Sequence, residues 1–131
     1  MLKIPQHIYD DLISHAREGF PLEVCGILGG IDGLVSAHFR MTNTDKSNEH
    51  FMMDPKEQFK VAKNLRANRL EMTAIYHTHP ETPARPSEED IRLALTPGVS
   101  HLIVSLVGDD AAASSFKIRA GAVEVEEIEI I

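Results

Sequence analysis

The chain is short of cysteine, of basic residues and of long apolar runs, and each shortage removes a class of protein. A single cysteine, Cys25, cannot form an internal disulfide, so a disulfide-stapled secreted fold is excluded. Thirteen Lys and Arg face twenty Asp and Glu, a net charge of -7. That balance disfavours a protein that binds by neutralising phosphates, and equally a polybasic membrane-surface protein. No stretch approaches membrane-spanning length, and Met1 to His7 carry no apolar signal core. The expected setting is the cytoplasm. Neither a phosphate-cradling glycine loop nor an H-E-x-x-H helix is present.

What is there is ordinary globular material: 131 residues, 43% hydrophobic and 25% charged. That is the length and composition of one domain, spanning 1–131. Ile4, Ile8, Leu12 and Ala16, with Tyr9 and Ile13 beside them, predict an amphipathic helix from Pro5 to Phe20. A glycine-rich strand over Glu23 to Gly30 turns at Asp32-Gly33 into a hairpin partner, Leu34 to Met41. Thr42 to Asp54 reads as a polar loop. A second helix follows from Pro55 to Leu70, with Val61, Ala62 and Leu65 inward and Lys56, Lys60 and Lys63 as a solvated face.

Glu71 to His77 is an apolar strand, Pro80 to Pro86 a proline-rich loop and Ser87 to Leu95 a short helix. His101 to Val107 and Ser115 to Arg119 are further strands. Val123 to Ile131 alternates apolar and acidic residues with a break of phase at Glu126-Glu127, which reads as one bulged strand. Its Glu124, Glu126 and Glu129 read as solvent-side charges that discourage edge-to-edge pairing. The order α-β-β-α-β-α-β-β-β specifies a mixed sheet with helices packed on it.

The informative segment is Tyr76-His77-Thr78-His79-Pro80 with Ser87-Glu88-Glu89-Asp90 after it. Residues two apart on a strand share a face, so the His77 and His79 rings project together, with Cα atoms roughly 6.5 Å apart. Two imidazoles at that spacing can converge on one metal ion. The loop between, constrained by Pro80, Pro83 and Pro86, can return the chain so that Asp90 supplies a third ligand. Each piece has a plainer reading: a His-x-His pair can be packing, and Ser87-x-x-Asp90 fits a helix cap with an acid at the third position. The combination is harder to dismiss. His-x-His-x7-Ser-x-x-Asp arises by chance in roughly one such sequence in a thousand.

This pattern resembles the JAMM (MPN+) metallopeptidase family, whose signature is a distant Glu followed by His-x-His-x7-Ser-x-x-Asp. The stretch Pro21-Leu22-Glu23-Val24-Cys25-Gly26-Ile27-Leu28-Gly29 is similar to the family's first strand. The first helix and the Asn43…Phe51…Asp54-Pro55 stretch look like the compact prokaryotic branch. No signature position is substituted.

The resemblance implies a cytidine-deaminase-like α/β fold, a mixed curved sheet packed between helices. It implies Zn²⁺ on His77, His79 and Asp90, with Glu23 as general acid–base and Ser87 as a donor to the developing oxyanion. Two neutral nitrogens and one carboxylate suit that role, because they leave a catalytic zinc one open position. With no insertions around the motif, the implied substrate is a ubiquitin-like, β-grasp sulfur-carrier protein. Cleavage would fall after its Gly-Gly tail, at a peptide or isopeptide bond.

Two other readings stand beside it: a non-catalytic MPN scaffold that only binds partners, and a zinc hydrolase of small amides. A nucleobase deaminase would need a Pro-Cys-x-x-Cys pair, and the chain has none. Cys25 shares the Glu23 face but reads as a small core residue in an apolar strand. His7, His15, His38, His50 and His101 lack ligand spacing and read as surface or packing residues.

Overall fold

A computed structural model describes all 131 residues. The elements run β1 (Leu2–Ile4), α1 (Gln6–Gly19), β2 (Cys25–Ile31), β3 (Leu34–Met41), α2 (Pro55–Ala67) and β4 (Glu71–His79). After these come α3 (Glu88–Arg92), β5 (Ser100–Ser105), β6 (Ala112–Arg119), β7 (Ala122–Glu126) and β8 (Ile128–Ile130). No helix is long and apolar enough to cross a membrane.

The strands form one mixed sheet in the order β7-β6-β5-β4-β2-β3-β1-β8. β4 and β5 are parallel, β1 is parallel to both β3 and β8, and the remaining pairs are antiparallel. Its two outermost strands, β7 and β8, are separated in the chain by Glu127 alone. A flat sheet cannot satisfy that, so the sheet curls until its ends nearly meet, and the Met1 amino group lies 3.7 Å from Glu126.

Strand alternation divides the core. On β4 the even residues Ala74 and Tyr76 join Leu28, Leu102 and Val104 under α1, which contributes Ile8, Leu12 and Ala16. Cys25 and Ile27 point the other way, into a cluster with Met53 and with Val61 and Leu65 of α2. A third cluster, Ile103, Phe116 and Ile118, lies near Ile91 of α3. At Gly26 a Cβ would run into the Tyr76 ring, so only glycine lets that fully buried ring lie on β2.

The mixed sheet between helices is as expected, with local corrections. Val123 to Ile131 is not one bulged strand. The chain breaks at Glu127 and its halves pair at opposite ends of the sheet. Glu126 is not a solvent-side charge: it turns inward and accepts hydrogen bonds from Ser100 Oγ at 2.6 Å and Ser115 Oγ at 2.7 Å. Burial pushes its carboxyl up, but these donors and Lys117 outweigh burial and hold it below its ordinary value. Ala62 is exposed rather than inward. β1 was not anticipated, since three residues before a proline carry no period, and β2 starts at Cys25 rather than Glu23.

Beneath α1 a polar chain threads the core. Tyr76 Oη contacts His15 Nδ1 and lies 2.7 Å from His38 Nε2, while His38 Nδ1 lies 2.8 Å from Asp11 Oδ2. One proton order satisfies every atom: His38 Nδ1–H donates to Asp11, Tyr76 O–H to His38 Nε2, and His15 Nδ1–H to Tyr76. Both rings are then neutral. Burial is the main cause holding both below their ordinary value, His15 at about 4. A native state that resists protonation loses stability as the unfolded chain takes up protons. Stability from this cluster should therefore be complete above pH ~6.5 and fall as pH drops toward 4. Thermal melts across that range should show the decline, and His15→Gln should flatten it.

Candidate active site

β4 ends in the two histidines, and α3 begins where the proline-rich loop returns. The loop is pinned at two points: His79 Nδ1–H donates to the Pro83 carbonyl at 2.9 Å, and Ser105 Oγ–H to the Thr82 carbonyl at 2.6 Å. Ser87 caps α3, accepting from the Asp90 N–H at 3.0 Å, while its own N–H donates to Asp90 Oδ2 at 2.9 Å. The capping box expected from the sequence is thus formed, and it is what aims Asp90 back at the strand. Capping and ligation are served by the same turn.

The result is a tight triangle. His77 Nε2 and His79 Nε2 lie 3.2 Å apart, and Asp90 Oδ2 lies 3.2 Å from the first and 3.1 Å from the second. Because His79 Nδ1 gives its hydrogen to Pro83, its Nε2 presents a lone pair when the ring is neutral. Three ligand atoms therefore face one another, with His77 and His79 both buried. Burial disfavours charge on the His79 ring, yet Asp90 and the Pro83 carbonyl outweigh it and raise its proton affinity. Burial likewise pushes the Asp90 carboxyl up, but the imidazoles and the Ser87 N–H hold it well below the carboxylate range. The site attracts positive charge to the centre of the triangle. Ligand atoms around a four-coordinate zinc ion are about 3.3 Å from one another, so the donor set and its spacing fit that ion.

Glu23 sits outside β2 but in register with it. Cys25 pairs with His77, and the antiparallel pattern continues: Thr78 N–H donates to the Val24 carbonyl at 2.9 Å. Thr78 Oγ1 accepts from the Val24 N–H at 2.8 Å. This two-point clamp places Glu23 across from His79. The 42–54 loop holds the residue from the other side, Ser47 accepting from its N–H at 2.8 Å and Asn43 Nδ2 donating to its carbonyl at 3.0 Å. The side chain is only 5% exposed, and Oε1 is buried with no hydrogen-bond partner. Burial first, then Asp90 and Glu89, push its carboxyl up to about 7, with His79 pulling the other way.

Cys25 takes no part. It is fully buried among apolar side chains, lies outside the group of converging ligand atoms, and burial pushes its thiol up to about 12, which disfavours a free thiolate. Sequence reasoning missed the supporting residues. Thr78 was only a spacer between histidines, Phe51 stacks on the His77 ring with centroids 4.7 Å apart, and Asn43 ties the loop to Glu23. Their only sequence signal was their place in the resemblance.

Comparison with known proteins gives a consistent result. The sequence model of the prokaryotic homologues of the JAB domain matches residues 5–119. A CysO-cysteine peptidase of Mycobacterium tuberculosis is 31% identical over 134 residues, an alignment covering 100% of this chain and 92% of that protein. A desampylase of Haloferax volcanii is 32% identical over 103 residues, covering 73% of this chain and 74% of its own. Among solved structures, a protein from Desulfitobacterium hafniense superposes with a TM-score of 0.91 at 41% identity, covering 100% of this chain and 93% of that one.

The clamp makes a prediction. Thr78→Val keeps the shape but leaves the Val24 N–H buried without an acceptor, and should cost about 1–3 kcal/mol. Thr78→Ser should recover most of it. Denaturant titration of the two variants beside the parent measures both.

Proposed function

The chain belongs to the prokaryotic homologues of the JAB domain, and from that premise we propose that it is a zinc-dependent peptidase. Its target is the peptide or isopeptide bond after the C-terminal Gly-Gly of a ubiquitin-like, β-grasp sulfur-carrier protein. One observation carries the reading: a buried carboxylate with a free oxygen, Glu23, stands beside three converging ligand atoms. The relatives support it, one named for peptidase action on CysO-cysteine and another as a desampylase. The proposed setting is the cytoplasm, where a free, buried thiol such as Cys25 is ordinary.

His77, His79 and Asp90 would hold the zinc, which when bound supplies a Lewis acid to the scissile carbonyl and acidifies water. Glu23 handles the proton at Oε1. Burial raises its proton affinity above that of an ordinary exposed carboxylate, which suits a group that takes a proton and releases it to the leaving amine within one cycle. Its backbone is held on both sides, so the carboxylate turns about a fixed Cα. Ser87 Oγ accepts from Asp90, which leaves its O–H free to donate to the oxyanion. An extended glycine tail can be read through backbone hydrogen bonds at a sheet edge, glycine being required where the groove is narrow.

Metal analysis should find one zinc per chain in the parent and none in the His77→Ala/His79→Ala double variant. Zinc retained in the double variant would refute the ligand assignment. Glu23→Gln should keep zinc but lose about 10²–10⁴-fold in kcat, since proton transfer goes and coordination stays. Ser87→Ala should lose about 10²–10³-fold. Mass spectrometry of a β-grasp carrier extended beyond Gly-Gly should reveal the trimmed carrier. If several carriers stay intact while small amides are turned over, the enzyme belongs to the small-amide class.

A further inference from the structure

The sheet face that carries the metal ligands is unevenly covered. α2 and Met53 lie over Cys25 and Ile27, and α3, only five residues long, lies over Ile103 and Ile118. Between the two covers a cavity of about 240 Å³ opens. Its floor is Ile75, His101, Ile103 and Ile118, and its walls are the 51–53 segment of the loop and Leu93 beyond α3. His77 and Asp90 form one end. The register of β4 on β5, Ile75 against His101 and His77 against Ile103, puts all four side chains on one face.

The cavity is thus next to where the scissile carbonyl must lie. Glycines before that bond have no side chain to place in it. Its size, that of about eight water molecules, is too small for the body of a carrier protein. What it can take is the side chain of the residue beyond the bond.

The lining also selects. Most of it is apolar, and Glu89 lies on its rim, where it repels an acidic group. His101 is a polar residue of the floor, and its Nε2 is buried without a hydrogen-bond partner.

We propose that this cavity is the subsite for the residue following Gly-Gly, and that it selects a large unbranched apolar side chain, methionine foremost. A methionine chain is flexible enough to fill an irregular apolar space of this size. The inference rests on the Gly-Gly reading of the reaction. It means that the natural leaving group is joined through its α-amine and presents a side chain. A lysine attached through its ε-amine presents only a stem and is the poorer substrate.

The test is a set of carriers ending in Gly-Gly-X, with X as Met, Leu, Ala, Ser or Asp, and one carrier in isopeptide linkage to lysine. With the zinc-loaded protein, kcat/KM should be about 10–100-fold higher for Met than for Ala, and lowest for Asp. His101→Phe fills the floor and should bring the Met-to-Ala ratio close to one. Leu93→Trp narrows the mouth from an exposed position, where folding is not at risk, and should lower the same ratio. A readout independent of turnover comes from NMR of the protein without metal: L-methioninamide should shift the His101 ring and Ile103 methyl signals, and L-serinamide should not. Equal rates for every X, or a preference for the lysine isopeptide, would overturn the subsite while leaving the Gly-Gly reading intact. Cleavage of none would overturn both.

Discussion

The antiparallel register of β2 against β4 sets Cys25 beside His77, and Thr78 extends it by gripping Val24 through both its amide and its hydroxyl. Everything at the site is measured from that pairing. A strand has a period of two, so a slip of one residue would send Glu23 to the α1 face and leave the histidines opposite apolar side chains. Thr78 guards against the slip by a side-chain bond that only one register can form. Its position between the ligands is thereby physical as well as formal: the residue separating His77 from His79 also positions the acid–base opposite them.

Two opposing electrostatic demands are met within a few residues of each other. The triangle of His77, His79 and Asp90 gathers lone pairs and so favours a cation. Glu23, close by, is buried without a partner and so resists negative charge. An exposed Glu23 would be a plain carboxylate and a feeble proton carrier near neutrality. A Glu23 fixed by hydrogen bonds at its side chain would be unable to turn. The structure satisfies the backbone of the residue completely, through Ser47 and Asn43, and leaves the Oε1 end of the carboxylate free.

Much of this was legible because it lies in short, local spacings. His77, His79, Ser87 and Asp90 are within one strand–loop–helix unit, and β3 and the body of α1 follow from simple periodicity. What could not be read depends on distant pairing. The sequence from Val123 to Ile131 alternates well enough to pass for one strand, and only closure of the sheet decides that its halves part at Glu127. Glu126 looks like any edge acid until Ser100 and Ser115 are brought under it. The Thr78 clamp, the stacking of Phe51 and the placement of His101 beside the ligands are invisible for the same reason. Each joins segments whose proximity is a property of the fold.

The arrangement of β1 bears on how the chain reaches this state. Leu2, Lys3 and Ile4 lie between β3 and β8, with Leu2 paired to Ile128 and Ile4 to Ile130. Until β8 exists, β1 has one neighbour, which it meets at a single register position. On a ribosome β1 therefore emerges well before β8 and must wait for its second partner. The hairpin of β2 and β3, and then β4, can assemble while synthesis continues, but the curl closes only once β8 is available. Folding of this protein is gated by its most non-local contact, a topology that slows the final step and leaves an open sheet edge exposed until then.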